Sequence, residues 1–386
     1  MPEPTTVEAE HSGLMAADLP IDLRVCPHLR QATQGPAVRR VRTPVGDDAW
    51  LVSGYKEVRD LLRDERLGRS HTDPEQRGQY AGHPKFDQLL ESDHERSDTA
   101  HNVLRNLMKP HFATRRMQVM RLRVERYAND QVGVLLAKDP PAELRANFSE
   151  PLIHRVLCDL YGTPDSEVDE CMDLMSNGAA DGFMGLAAYL GRLIASKRSC
   201  PDDSFVSRLC EAKLSDEQCL EVLMITQFAG GGATIKQIDH GVMLLTGQPG
   251  QWAALAADFA LVPGAVEELL RLAGSLSLPR YAREDIEIGG VTIRDGELVL
   301  IDLTRANYDE AGFADPASLD VTRSPNRHLT FSHGVWTCLG APLARMLLCV
   351  VFETLLTRTP NLRAAGPVEN TIGPLSGGFD RLTVTW

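Results

Sequence analysis

Several things are missing from this sequence, and each absence removes a class of function. No stretch of the 386 residues reaches the roughly 18 consecutive apolar residues a membrane-spanning helix requires, so an integral membrane protein is not expected. The N-terminus lacks the basic, apolar and small-residue succession of a secretory signal, and a cytoplasmic location is expected. Positive charge is in deficit: 40 Lys and Arg against 53 Asp and Glu give a net charge of −13. That balance argues against a general binder of nucleic acid or anionic membranes. The eight cysteines contain no CxxC pair, which argues against a structural zinc site and, in a reducing compartment, against a disulfide framework. Cys26, Cys158, Cys171, Cys200, Cys210, Cys219 and Cys349 are expected to be plain reduced residues.

What is present is the composition of a globular protein, 43% hydrophobic and 24% charged, long enough to bury a large core. Residues 1–20 read as a polar tail and 21–386 as one domain. Val41 to Ser53 reads as a hairpin with its turn at Gly46, followed by a helix from Tyr55 to about Asp64. Residues 66–98 read as a long loop, and 117–212 as successive amphipathic helices. Ser215 and Gln218 form a capping box that opens a helix running to Thr246, where Gly247 and Pro249 close it. Such a helix is about 45 Å long. Its middle carries Gly230, Gly231 and Gly232, each costing about 1 kcal/mol relative to alanine, so something there requires the missing side chains. Val262-Pro263 starts a further helix, Tyr281 to Leu303 is strand-rich, and Leu375 to Arg381 reads as a hairpin tip.

The stretch from Phe331 to Arg345 has the most specific chemistry. Gly334 and Gly340 punctuate a tight loop, Pro342 suits the first turn of a helix over 341–357, and Cys338 falls just ahead of that helix. Nearby unpaired N–H groups and the positive helix end favour thiolate over thiol. A thiolate behind glycines that admit a flat ligand is a good axial ligand for haem iron. The plain alternative is a buried structural cysteine.

The string resembles the cysteine loop of the cytochromes P-450, Phe-Gly-x-Gly-x-His/Arg-x-Cys-x-Gly, at Phe331, Gly334, Cys338 and Gly340. It departs from that pattern at Ser332 and Trp336. Further landmarks follow in the family's order: His101-x-x-x-Arg105, Ala229-Gly230, Glu268-x-x-Arg271 and Asp320-x-x-Arg323. The resemblance covers residues 40–386 and implies a mainly α fold, a helical prism with a smaller β-rich region. Haem b would lie between the long central helix and the cysteine loop.

The resemblance also implies roles. Cys338 would be the haem iron's axial ligand, with Phe331 and Gly340 shaping its loop. His101, Arg105 and Arg280 would hold the propionates. Trp336 stands where the family has a charged donor, keeping one N–H but no charge. Glu268, Arg271 and Arg323 would form a buried structural network. Phe228, Gly231 and Phe379 would border the substrate pocket, and a short segment from Cys171 to Arg192 would leave it open to a bulky or carrier-bound substrate. Lys109, Arg327 and Arg345 would offer a basic surface to an acidic ferredoxin, itself served by a ferredoxin reductase.

The sharpest departure lies in the central helix. The family places an acid and an alcohol there to relay protons; this chain has Gly232 and Ala233. Thr234 is adjacent, but about 100° away around an α-helix. The expected activity is oxidative tailoring of a small molecule in bacterial secondary metabolism (hydroxylation, oxidative coupling or desaturation). The protein would act as a monomer, with oxygen activation assisted by substrate or water. The alternative readings are a peroxide-using enzyme and a catalytically silent member that recruits partner enzymes.

Overall fold

The structure is a computed structural model, and it describes residues 35–43, 45–73, 75–80, 105–177, 180–274, 277–366, 370–372, 377–379 and 381–386. The expectations placed on the 1–20 tail, on Cys26, on His101 and on residues 81–98 of the long loop lie outside these. The chain forms two compact units. The first takes its described residues from Met1–Asn102, Glu267–Cys338 and Pro367–Asp380; the second takes them from Val103–Val266, Leu339–Gly366 and Arg381–Trp386.

The first unit is built on a five-stranded sheet in the order Val38–Arg42, Asp48–Val52, Leu298–Asp302, Ser277–Ala282, Leu67–Gly68. All pairings are antiparallel except that of Asp48–Val52 with Leu298–Asp302. Side chains alternate across a strand, so Trp50, Val52, Val299 and Ile301 join the larger core with Val58, Leu61 and Leu62. Ala49, Leu51, Leu298 and Leu300 fill a smaller core with Tyr281 on the other face. The hairpin turn holds Gly46 at φ +95°, the left-handed region that glycine enters without strain. The helix after it spans Tyr55–Leu61. The segment expected to be pure loop from residue 66 instead contributes the Leu67–Gly68 strand, whose pairing with Tyr281 and Ala282 no local pattern announces.

The second unit is helical, with a small sheet of Ala142–Glu143, Thr383–Thr385 and Arg363–Ala364. Thr114–Leu136 and Ala341–Arg358 form its most extensive helix pair. Met117, Met120, Val124, Ala128, Val132 and Leu135 are buried at steps of three and four, one continuous stripe. Among the described residues, no helix is long and apolar enough to cross a membrane.

The central helix differs from the uninterrupted α-helix expected. It opens at Asp216 under the Ser215–Gln218 capping box, widens into a π-type turn over Gln227–Gly232, and resumes as Ala233–Thr246. The three glycines lie in the wide turn, where the usual i to i−4 bonding is relaxed.

Candidate haem-thiolate site

In the first unit, the loop around Cys338 is a closed hairpin. The Cys338 N–H donates to the Phe331 carbonyl at 2.8 Å and Ser332 N–H to that of Leu329 at 2.7 Å. A short 3-10 turn over Gly334–Trp336 is tied by the Thr337 hydroxyl, which donates to the Gly334 carbonyl at 2.8 Å. Gly334 has φ +62°, and a Cβ there would meet the Leu62 carbonyl oxygen at 2.7 Å, so only glycine fits. Ser332 also takes a positive φ, +60°; the loop imposes on it a conformation glycine would adopt freely. Its hydroxyl is buried without a partner. Phe331 is half-buried against His328, ring centroids 5.8 Å apart, and Cys338 is exposed. Gly340 precedes the Ala341–Arg358 helix as its N-terminal flank, and Pro342 sits in the first turn.

Arg280 is buried, and its guanidinium carbon stands 4.7 Å from the Trp336 ring centroid. A second arginine, Arg69, lies over the same ring at 5.8 Å. Arg280 Nη1 donates only to the Pro279 carbonyl, 2.7 Å away. The Nε of each arginine is buried without a hydrogen-bond partner, and no carboxylate pairs with either among the described residues. Burial, with Arg69 adding to it, pushes Arg280 down to about 9; burial also lowers Arg69. Two crowded guanidiniums without counter-charge, in the unit that carries an exposed thiol, fit a ligand that brings two carboxylates and accepts sulfur. Sequence reasoning found Arg280 and missed Arg69.

Glu268, Arg271 and Arg323 also meet in this unit. Arg271 donates to both oxygens of Glu268 at 2.8 Å, and Arg323 Nε is 3.1 Å from each. Asn326 and the Asp320 N–H complete the carboxylate's shell. The remaining Arg271 hydrogens go to the carbonyls of Asn307, Pro316 and Ser318. Glu268 and Arg271 are fully buried, so the cluster ties the Val262–Ala273 helix to the segment leading to the cysteine loop.

In the second unit, Gly232 and Ala233 lie on an exposed face of the central helix with Phe228 and Ala229. A Cβ on Gly232 would meet nothing within 4 Å. Thr234 is buried and its hydroxyl donates to the Gly230 carbonyl at 2.6 Å, so its proton is committed to the backbone of the wide turn. Gly231, expected at the pocket, faces the core instead: a Cβ there would press on Leu157 at 3.2 Å. Phe228 is 54% exposed and stacks on Phe183, centroids 6.1 Å apart. Downstream, Asp239 accepts from Arg145 Nε at 2.7 Å and from the Ser149 hydroxyl. Burial raises it to about 6 against those partners. Arg105 is half-buried on helical backbone, Lys109 is exposed and Arg345 is half-buried. In the first unit, Arg327 is exposed and Phe379 lies on the Gly377–Phe379 strand.

Comparison with known proteins supplies the wider context. A family model described as "Cytochrome P450" matches residues 248–359. Pentalenolactone synthase of Streptomyces exfoliatus is 37% identical, the alignment covering 96% of this chain and 98% of that one. A mycinamicin IV hydroxylase/epoxidase of Micromonospora griseorubida is 37% identical over 90% of this chain and 92% of its own length. Among solved structures, substrate-free cytochrome P450 PimD, a polyene macrolide antibiotic pimaricin epoxidase, aligns with a TM-score of 0.83. It is 38% identical and covers 94% of this chain and 96% of that one.

Proposed function

The chain belongs to the cytochrome P450 family, and from that premise we propose that it is a haem b enzyme that oxidatively tailors a bulky small molecule, free or carrier-bound, in bacterial antibiotic biosynthesis. The observation that carries the reading is the exposed Cys338 in its closed loop, in a unit that also holds two guanidiniums with no carboxylate partner among the described residues. Haem held by the Cys338 thiolate supplies the oxidising chemistry. Arg280, Arg105 and His101 hold its propionates, with the Trp336 N–H as a neutral donor. Phe228, stacked on Phe183 and half open, offers an apolar surface to substrate, and Phe379 on its hairpin borders the same ligand. The named relatives include pentalenolactone synthase, a mycinamicin IV hydroxylase/epoxidase and a polyene macrolide epoxidase, which favours a bulky substrate. Electrons come from a ferredoxin and its reductase, docked through Lys109, Arg327 and Arg345, to a cytoplasmic monomer.

The central helix sets the mechanism apart. Gly232 and Ala233 offer no proton, and the Thr234 hydroxyl is bound to the Gly230 carbonyl, so protons reach the reacting centre through ordered water or a substrate hydroxyl. The same bareness favours a second reading, a silent member that recruits partner enzymes.

The first test is the spectrum of reduced protein under carbon monoxide. A strongly red-shifted Soret band marks thiolate-ligated haem, and its absence removes the catalytic reading. Turnover of polyene macrolides and other bulky small molecules with ferredoxin and reductase, or with peroxide, separates enzyme from scaffold. Gly232→Asp with Ala233→Thr should raise hydroxylation of small substrates lacking their own hydroxyl by about tenfold or more, within the range of a positioned acid or base. The space around Gly232 accommodates the change. An inert double variant of an active enzyme would count against assistance by water or substrate.

A further inference from the structure

We propose that Arg69 supplies the positive charge that Trp336 leaves out of the cysteine loop, anchoring a haem carboxylate beside Arg280, with the Trp336 indole holding both guanidiniums. The inference rests on the haem-binding reading above and adds a residue outside the motifs named for the resemblance.

The placement follows from backbone register. Leu67 pairs with Ala282 and Gly68 with Tyr281 in an antiparallel ladder, so the next step along each strand brings Arg69 beside Arg280. Pairing between segments more than 200 residues apart thus creates a cationic pair. The indole of Trp336 lies 4.7 Å from one guanidinium carbon and 5.8 Å from the other. An aromatic face attracts both cations but neutralises neither.

Like charges side by side in a dry place are unfavourable unless an anion joins them. The same unit shows how such charge is settled when the protein does it alone, since Arg271 and Arg323 both reach Glu268. Arg69 and Arg280 have no such partner among the described residues, and both Nε atoms are orphaned. Haem carries two propionates. Where the family motif brings a charged donor two residues before the cysteine, this chain has Trp336, and the charge comes from the Leu67–Gly68 strand end instead. The indole is then the platform that fixes the fork of each arginine for a carboxylate.

The test uses the haem-loaded protein and follows haem transfer to excess apomyoglobin by absorbance. Arg69→Gln should lose haem about tenfold to a hundredfold faster, the range for one charge-assisted hydrogen bond. Its carbon monoxide band should stay that of thiolate-ligated haem, and its iron potential should shift negative as a nearby cation is removed. Arg69→Lys, which keeps charge but not the planar fork, should fall between the two. Adding Trp336→His to Arg69→Gln at a pH below the imidazole pKa should restore most of the retention, because the charge returns at the motif position. Loss at the wild-type rate in Arg69→Gln, or a double variant no slower than the single one, overturns the proposal. If Arg69→Gln does not accumulate as folded protein, wild-type retention in Arg69→Lys overturns it. A wild-type protein that holds no haem overturns the functional reading as well, whereas stable wild-type haem with an indifferent Arg69 overturns this proposal alone.

Discussion

Two arginine clusters in the same unit solve the problem of buried charge in opposite ways. Around Glu268, every charge is answered: one carboxylate takes two guanidiniums, an amide and a backbone N–H, while spare arginine hydrogens go to carbonyls. Around Trp336, two guanidiniums share an aromatic face, and no carboxylate among the described residues answers their charge. A closed network has no remaining valence for a ligand and holds chain segments together. An open one is incomplete until an anion arrives. The difference between structural and ligand-seeking arginines is therefore visible in the accounting of donors, without reference to motif.

The largest expected effect comes from opening the closed cluster. Glu268→Gln removes the carboxylate to which both Arg271 and Arg323 donate, and should destabilise the protein by about 3–5 kcal/mol, the usual result of stranding one partner of a buried pair. Urea denaturation reads this directly. A loss below about 1 kcal/mol would mean the charges are not confined, and the contrast between the clusters would collapse.

A buried group can also escape the problem by staying neutral. His154 is buried, with Nδ1 at 3.2 Å from the Ser176 hydroxyl, and burial pushes it down to about 4 from its ordinary 6.5. Below pH 6.5 the unfolded imidazole binds a proton that the folded one refuses until about pH 4. Its contribution to stability is therefore complete above 6.5 and is lost as pH falls from 6.5 towards 4. Between pH 7 and pH 5 that loss is about 2 kcal/mol. The stability gap between wild type and His154→Gln should shrink by that amount over the same interval; a gap independent of pH would show that His154 takes up its proton in the fold as readily as in the unfolded chain.

The smallest effect concerns an orphan without charge. Ser332 bears a left-handed backbone and a buried hydroxyl with no partner. Ser332→Gly removes both costs while adding freedom to the unfolded chain, and should stabilise the protein by about 1 kcal/mol. A destabilised variant would indicate that the hydroxyl has a partner in the working protein.

Features governed by neighbours in sequence were legible before the structure. The Ser215–Gln218 box, the start of the last long helix at Ala341 and the hairpin around Gly46 depend on contacts a few residues apart. The i, i+3 pair Glu268 and Arg271 belongs with them, although Arg323 entered through family resemblance. Arg69 was not legible, because its neighbour Arg280 arrives through a two-residue strand with no hydrophobic alternation of its own. The three glycines signalled that the central helix was unusual, yet glycine content does not distinguish a close approach from a widened turn. Nor did the pattern show that Gly231 faces Leu157 while Gly232 faces outward, since the wide turn breaks the angular step used to assign faces.

That turn makes the central helix a coupling with a fixed phase. An α-helix advances about 100° with each residue, and one wide turn absorbs a residue without that advance, so the two halves of the helix are out of step by one position. The lower half is clocked by Asp239 against Arg145 and Ser149, and the upper half by the Leu223 carbonyl, which accepts from the buried Tyr161 hydroxyl. The number of glycines between those two fixings is thus a mechanical setting. Removing one would swing Asp239 away from its partners or drag the Leu223 carbonyl away from Tyr161, whereas exchanging one glycine for another residue leaves the phase untouched. In this stretch the chain tolerates changes of spelling far better than changes of length.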